Sequence, residues 1–583
     1  MTPLVLASAL TKTYGTRDAL RALDLAVAPG SRFVVLGHNG AGKSTLLEII
    51  ATLRTPTSGS VRVGGFDTVT QARDARRLIG LAPQSNALDP LATPAEVLDF
   101  HGVALGLGRR QRARRTRELV DLFGLAEQRS SLVAKLSGGT RRKLDLAVAL
   151  VAEPAVVILD EPTTGLDPLA RIDFWTELTR LNHSGTSLLI STQDLHEADV
   201  LATEIAVLRD GRVVAQGPPA SLKGRVGART LTLDLSDAAA ATALVAASEA
   251  GFRADPDHPD RVRLSVPDDP RALTTALHEA GAIAADITRL HLAEPLPRRR
   301  LRRPRRPLRR APPHPERPDT VLPLALTPPR RSSAPVVLAA IRRSTRAVLR
   351  TPALLVAPVA QSLFFLLVYA GQLDAVGSTY LGGTSFIAFL LPLILLTGVA
   401  TGAGAAGTLV LGDITSGYLD RLRLAHGTTT PFLVGPVVAA LLAVVLQMVV
   451  TVAGAVAIGY RPASWSGVAG MLLLMLALGL GVALLSTALA IRSGSASTTN
   501  LVTLVVFGLS FFTGVFAPVD ELAGWMRVIA TVNPLTYIVD TARQLGGGTP
   551  LAAAPIGVAA LAALTVAGTA ACALALHHAR KNR

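Results

Sequence analysis

Gly37-His38-Asn39-Gly40-Ala41-Gly42-Lys43-Ser44 follows the apolar run Phe33-Val34-Val35-Leu36 and leads into Thr45-Leu46-Leu47-Glu48-Ile49-Ile50. The spacing fits G-x-x-x-x-G-K-[ST] between a strand and a helix, the setting that separates a phosphate-binding loop from an ordinary glycine-rich turn. Glycines let backbone N–H groups turn inward around phosphate oxygens, and the following helix presents its positive end. Lys43 then supplies charge to the β- and γ-phosphates, and Ser44 offers a hydroxyl to Mg²⁺. Gly37, Asn39, Gly40, Gly42 and Thr45 complete the expected phosphate cradle. A second stretch, Val156-Val157-Ile158-Leu159-Asp160-Glu161, is an apolar strand closed by two carboxylates. Asp160 stands where Mg²⁺ needs an outer partner, and Glu161 can orient or deprotonate an attacking water. The expected catalytic groups are thus Lys43 and Glu161 on an α/β fold, with Ser187-Leu188-Leu189-Ile190-Ser191 as a third buried parallel strand.

The rest of the chain reads outward from this site. Its 583 residues exceed one domain. With 49% hydrophobic and 17% charged residues and a mean hydropathy of +0.41, a disordered or collagen-like chain is excluded. Cys572 is the lone cysteine, which leaves no intrachain disulfide and no cysteine-based zinc cluster. The net charge of +16 is concentrated: residues 295–331 hold 12 arginines against Glu316 and Asp319. That stretch also carries 11 prolines, cannot bury a core, and is expected to be an extended linker (295–334). It can attract anionic lipid headgroups or serve as a plain linker. A nucleic-acid arm is disfavoured because no interleaved aromatics offer stacking. Between the ATPase-like region (1–225) and this linker, residues 226–294 read as β-α-β-β-α-β, a small ferredoxin-like α+β domain. Its expected elements are strands Leu231–Leu235 and Arg261–Val266, helices Ala238–Ala250 and Pro270–Ala280, a short strand near Phe252, and a strand Asp286–Leu292.

Residues 335–583 are expected to form an all-α, six-span membrane domain, with apolar stretches near 352–370, 386–411, 432–459, 466–490, 499–518 and 553–576. Arg342, Arg343, Arg346 and Arg350, then Arg421 and Arg423, then Arg492, and finally Arg580, Lys581 and Arg583 fall on one side of these spans. By the excess of basic residues in cytoplasmic loops, both termini are expected in the cytoplasm; no secretory signal opens the sequence. The span centres carry no Asp, Glu, Lys or Arg, so ATP rather than an ion gradient is the expected drive. Gln361, Gln447 and Asn500 read as bundle-stabilising groups or polar points on a path. Phe364, Phe365, Phe511, Phe512 and Phe516 either line such a path or face lipid. Gly402, Gly404 and Gly407 read as close helix contacts.

The motifs together resemble an ATP-binding cassette (ABC) transporter. Leu136-Ser137-Gly138-Gly139-Thr140 is similar to the family's LSGGQ signature with Thr140 in place of Gln, and Glu161-Pro162-Thr163-Thr164-Gly165-Leu166-Asp167-Pro168 continues the acidic strand. The resemblance implies that Ser137, Gly138 and Gly139 bind the γ-phosphate held by the opposite subunit, and that Asp167 links the two sites. It implies that Gln84 lies near Mg²⁺ and the membrane domain, and that Tyr14 stacks on adenine. The metal set is then Ser44, Gln84 and Asp160, with ATP and Mg²⁺ as cofactors. Ser191-Thr192-Gln193-Asp194 departs from the family pattern by placing Gln193 where a histidine usually stands. A glutamine amide donates to phosphate oxygen but carries no proton. Similar glutamines occur in the daunorubicin-resistance type of drug-exporter ATPase, which the run Ser137–Ala147 also resembles. In the membrane half, Phe516-Ala517-Pro518, Trp525 and Asn533-Pro534-Leu535-Thr536-Tyr537 with Asp540 and Arg543 resemble an ABC type-2 exporter. Asp413 to Leu424 resembles the cytoplasmic loop that carries that family's coupling helix.

One phosphate loop and one signature imply a half-transporter that works as a homodimer, or with a paralogous half-transporter, in the plasma membrane. The expected activity is an ATPase-coupled translocase moving an amphipathic small molecule, a drug or antibiotic, outward across the lipid. Export of a lipid or glycan carrier, and a membrane-anchored ATPase that signals or remodels a partner without transport, are the rival expectations. No nucleic-acid partner is expected.

Overall fold

The computed structural model describes residues 2–581, apart from 86, 227–228, 249–251, 256–257, 267–273, 276, 279, 281–286, 294–332, 381–384 and 515–518. The strands of its N-terminal region are β1 (Val5–Tyr14), β2 (Arg17–Val27), β3 (Arg32–Leu36), β4 (Ser58–Val63), β5 (Phe66–Asp67), β6 (Ile79–Ala82), β7 (Val156–Asp160), β8 (Ser187–Thr192), β9 (Glu204–Arg209) and β10 (Arg212–Gly217). β10-β9-β3-β8-β7-β6 form one sheet, parallel except for β10. Its central strands are apolar on both faces because each face is covered. Val34, Leu36, Val157, Leu159, Leu188 and Ile190 pack under helices that supply Leu119, Phe123, Leu144 and Phe174. Their neighbours Phe33, Val35, Ile158 and Leu189 point the other way, onto Leu46, Ile50 and the second sheet, as the two-residue period of a strand requires. That second, antiparallel sheet has the order β2-β1-β4-β5.

β11 (Arg229–Leu235), β12 (Arg253–Ala254), β13 (Arg261–Val266) and β14 (Ile287–Ala293) form a separate antiparallel sheet of order β12-β13-β11-β14, the ferredoxin-like order. Leu231, Leu233, Val262 and Leu264 make its apolar face, covered by Leu244 of the Ala238–Ala247 helix. The second helix expected there, Pro270–Ala280, falls largely outside the described residues, as does the Arg/Pro stretch 295–332.

The C-terminal region is helical. Among the described residues five helices are long and apolar enough to cross a bilayer: Pro352–Gln372, Phe386–Thr415, Thr430–Ala457, Trp465–Ser493 and Ala554–Ala579. The expected 499–518 stretch gives a shorter apolar helix, Ala496–Ser510. Phe386–Thr415 is the bundle's axis, with 83% of its most apolar window buried, against 11% for Ala554–Ala579. Glycines make that axis possible. A Cβ on Gly404 would collide with Thr503 and one on Gly407 with Ser486, so small residues bring these backbones together. Gln447 is buried and donates to Ser362 (2.8 Å) and Thr451 (3.2 Å), a bundle bond rather than an open polar point. Asn500 is exposed and Gln361 half-buried.

Candidate functional site

The phosphate loop joins β3 to the helix Lys43–Ile50. Gly42 has φ 105°, and a Cβ there would strike the Ala19 carbonyl and Leu20, so conformation and space both require glycine. Lys43 is 4% exposed. Its ammonium donates to the carbonyls of Gly37 (2.8 Å) and His38 (3.2 Å) and lies 3.1 Å from Glu161 Oε1. A buried ammonium is held only where acceptors surround it, so the loop and the acidic strand close on one point. Gly37, Asn39, Gly40, Ser44 and Thr45 lie on this loop and the first turn of its helix.

Asp160 and Glu161 end β7, next to β8. Ser191 of β8 donates its hydroxyl to Asp160 Oδ1, and its hydroxyl and carbonyl oxygens both accept from the Glu161 N–H (3.0 and 3.1 Å). Glu161 adopts φ 44°, a left-handed conformation that costs a non-glycine residue energy and persists only where surrounding bonds enforce it. Its carboxylate accepts from Gln84 Nε2 (3.3 Å) and Thr164 Oγ1 (3.4 Å) besides facing Lys43. The structure therefore brings Lys43, Gln84, Asp160 and Glu161 together. Ser44 and Asp160 add a hydroxyl and a carboxylate, hard oxygen donors that suit Mg²⁺ sharing its shell with phosphate. Among the described residues no cluster of His, Cys, Asp and Glu could hold a metal on its own.

The remaining candidates are not bonded into this cluster, although Gln193 follows Thr192, whose carbonyl accepts from the Gly37 N–H (3.1 Å). Gln193 is exposed just past β8. His196 stacks edge-on against Trp175 at 5.5 Å. Ser137 caps the helix Gly138–Ala149, accepting from Thr140 N at 3.2 Å, and leaves Gly138 and its own backbone exposed. Asp167 caps Pro168–His183 in the same way, also exposed. Tyr14 is 39% exposed at the end of β1, between Lys12 and Arg54.

A set of ion pairs that the sequence reading did not single out joins the ATPase half to the membrane half, around the Asp413–Leu424 loop. The helix Tyr418–His426, entered through Gly417 at φ 74°, packs against the segment just after Gln84, where Ser85 Oγ donates to the Ser416 carbonyl (3.2 Å). Arg421, 4% exposed, reaches Asp145, 0% exposed, and the Ala87 carbonyl. Arg343 of the helix Ser333–Leu349 donates to Asp89 (2.6 Å) and forks onto Asp413 (2.6 and 2.8 Å), its guanidinium 4.4 Å from the Tyr418 ring centre. Burial pulls its pKa down, but the carboxylates of Asp413 and Asp89 outweigh this and hold it well above the ordinary value. Arg350 forks onto Glu96 (2.7 and 3.0 Å). His101, buried beside Tyr418, is pushed down to about 3 by burial, with the Arg421 charge adding to it. In the sequence, Arg343 and Arg350 read as orienting charges beside the spans, and Arg421 as such a charge within the Asp413–Leu424 loop that resembles a coupling helix; their acidic partners in the ATPase half were not singled out. A sequence signal for the partner exists in Leu144-Asp145-Leu146, a carboxylate set inside an apolar helical stripe.

Residues 20–164 match the family model described as ABC transporter, and residues 335–545 the one described as ABC-2 type transporter. The daunorubicin resistance ATP-binding protein DrrA3 of Streptomyces coeruleorubidus is 42% identical over 282 residues, 47% of this chain and 88% of that protein. The daunorubicin/doxorubicin resistance ATP-binding protein DrrA of Streptomyces peucetius is 40% identical, over 49% of this chain and 85% of its own length. The Nod factor export ATP-binding protein I of Cupriavidus metallidurans is 39% identical, over 38% of this chain and 73% of its own length.

Proposed function

This chain belongs to the ABC transporter family, and we propose that it exports an amphipathic small molecule of the drug or antibiotic class from the cytoplasm across the plasma membrane. It is a membrane-integral, ATP-driven exporter in which one chain carries both the nucleotide-binding ATPase and the ABC-2 type membrane domain. We assign 1–225 to the ATPase, 226–294 to an accessory domain, 295–334 to a linker and 335–583 to six spans with both termini in the cytoplasm. Two copies, or this chain and a paralogous half-transporter, face each other head to tail. Ser137, Gly138, Gly139 and Asp167 of each complete the other's site, a role that suits the exposure of Ser137, Gly138 and Asp167 at the heads of two helices.

Within one site Lys43 and the N–H groups of Asn39, Gly40, Gly42, Ser44 and Thr45 hold the phosphates, Gly37 anchors the start of the loop by donating its N–H to the Thr192 carbonyl (3.1 Å), and Tyr14 holds the base. Ser44, Gln84 and Asp160 are the residues that would hold Mg²⁺, which when bound would offset charge on the phosphate oxygens. Glu161 takes the proton from the attacking water, and Gln193 donates to a phosphate oxygen. The observation that carries this reading is the contact of Lys43 with Glu161 in a chain whose membrane half plugs into the ATPase just past Gln84. The match of the ATPase half does not identify the cargo, since relatives named for drug resistance and for Nod factor export match at 42% and 39% identity. A lipid or glycan carrier is the second cargo class. ATP-dependent drug uptake into inverted vesicles tests the proposal: uptake in wild type and none in Glu161→Gln supports it. ATP hydrolysis with no uptake of any drug removes the drug-export reading.

A further inference from the structure

The helix Gly138–Ala149 places Asp145, 0% exposed, between two arginines from different parts of the chain. Asp145 Oδ2 accepts from Arg142 Nη1 (3.2 Å), Oδ1 accepts from Arg421 Nη1, and the Asp145 carbonyl accepts from Arg421 Nη2 (2.6 Å). Arg142 spends its remaining donors on backbone alone. Nε reaches the Pro162 carbonyl (2.7 Å), Nη2 the carbonyls of Asp160 and Glu161 (3.2 Å each), and Nη1 the carbonyl of Pro83 (2.9 Å). One guanidinium therefore ties the three consecutive carbonyls around Glu161 to the residue before Gln84. These are the bonds that hold Glu161 in its left-handed conformation, together with Ser191 on the N–H side.

All three charges are buried, and a buried carboxylate shared by two guanidiniums depends on both. With Arg421 withdrawn, Asp145 keeps Arg142 as its only charged partner, and the pull on Arg142 shifts from the carbonyls toward Asp145. We propose that Arg421, Asp145 and Arg142 form a positioning relay through which the docked Tyr418–His426 helix fixes the backbone of Glu161, so that the membrane half sets the turnover of the ATPase. The relay rests on the assignment of Glu161 as the base. None of the three touches substrate; each acts through the next. The interfacial pair Arg350–Glu96 offers an internal contrast, because it joins the same two halves without reaching the β7 end.

The test reads ATP hydrolysis by the full-length protein in lipid nanodiscs. Arg421→Met and Asp145→Asn are each expected to lower kcat about tenfold, within the range seen for residues that couple sites, with KM for ATP changed less than about twofold. The double variant is expected to be no slower than either single one, since residues acting as one unit are non-additive. Arg350→Met, run as the contrast, is expected to stay within about twofold of wild type in kcat. Additive losses, an equal loss in Arg350→Met, or an unchanged kcat in Arg421→Met would each overturn the relay. If Arg421→Met does not fold, Arg421→Lys carries the test, because it keeps the charge but not the fork onto the Asp145 carboxylate and carbonyl. A lowered kcat at constant KM supports the relay, and an unchanged one overturns it. Glu161→Gln run alongside separates the two claims. If it hydrolyses ATP normally, the assignment of Glu161 fails and takes the relay with it. If it is inactive while Arg421→Met is normal, the relay alone fails.

Discussion

The ATPase half and the membrane half treat buried polar groups in opposite ways. At the ends of β3 and β7, Lys43, Asp160, Glu161 and Ser191 are all buried within one bonded cluster. In the membrane-spanning helices the buried polar groups described are uncharged, among them Ser362, Thr397, Gln447, Thr451 and Ser486. They bond to their own helix or to the next one. Charge in a bilayer is expensive, so the chemistry that releases energy sits in the ATPase half and has to be delivered mechanically. The delivery point is at the junction, where Arg343 and Arg421 of the membrane half are each paired with an acid of the ATPase.

Removing a charge from the ATPase cluster should have the largest effect. Glu161→Gln is expected to lower turnover by about 10³-fold while ATP still binds, measured by steady-state hydrolysis and nucleotide titration. Lys43→Ala removes a charge-assisted phosphate contact and is expected to weaken ATP binding about a hundredfold. In the membrane half the sensitive quantity is packing. Gly407→Val would drive a side chain into Ser486 and Thr499 and should cost about 1–3 kcal/mol in thermal unfolding, with ATP affinity of the folded fraction unchanged.

Protonation at the junction comes next. His101 is depressed from 6.5 to about 3, so the stability that this burial carries is complete above about pH 6.5 and is lost as the pH falls toward 3. About 1 kcal/mol is expected to go by roughly pH 5.5, and His101→Gln should flatten that part of the melting-temperature profile. The smallest change is Gln193→His, expected to preserve or modestly raise hydrolysis because the imidazole keeps a donor at an exposed strand end. Complete loss would mean the amide itself is required.

Legibility in the sequence divides along the same line. Gly37 to Ser44 and Val156 to Glu161 are contiguous runs in which spacing dictates geometry; the first leads from β3 into the helix Lys43–Ile50, and the second runs along β7 and one residue past it, in the expected arrangement. The parallel strands were legible because burial on both faces removes polar residues from them. The long membrane helices were legible from hydropathy. Residues 499–518 were not separable into the short helix Ala496–Ser510 and the residues after it, since hydropathy carries no information on where a helix stops. The docking pairs were hidden for a different reason. Arg421 and Asp145 are 276 positions apart. Each arginine, read alone beside a span, has a sufficient explanation as a charge that orients the chain.

The most direct test of an ATPase driven through a docked membrane half is cargo-stimulated hydrolysis by the full-length protein in lipid nanodiscs, comparing wild type with Glu161→Gln while amphipathic drugs are titrated. A wild-type rate that rises with a drug and is absent in Glu161→Gln is the predicted result. Equal rates in the two proteins, with or without drug, would contradict it.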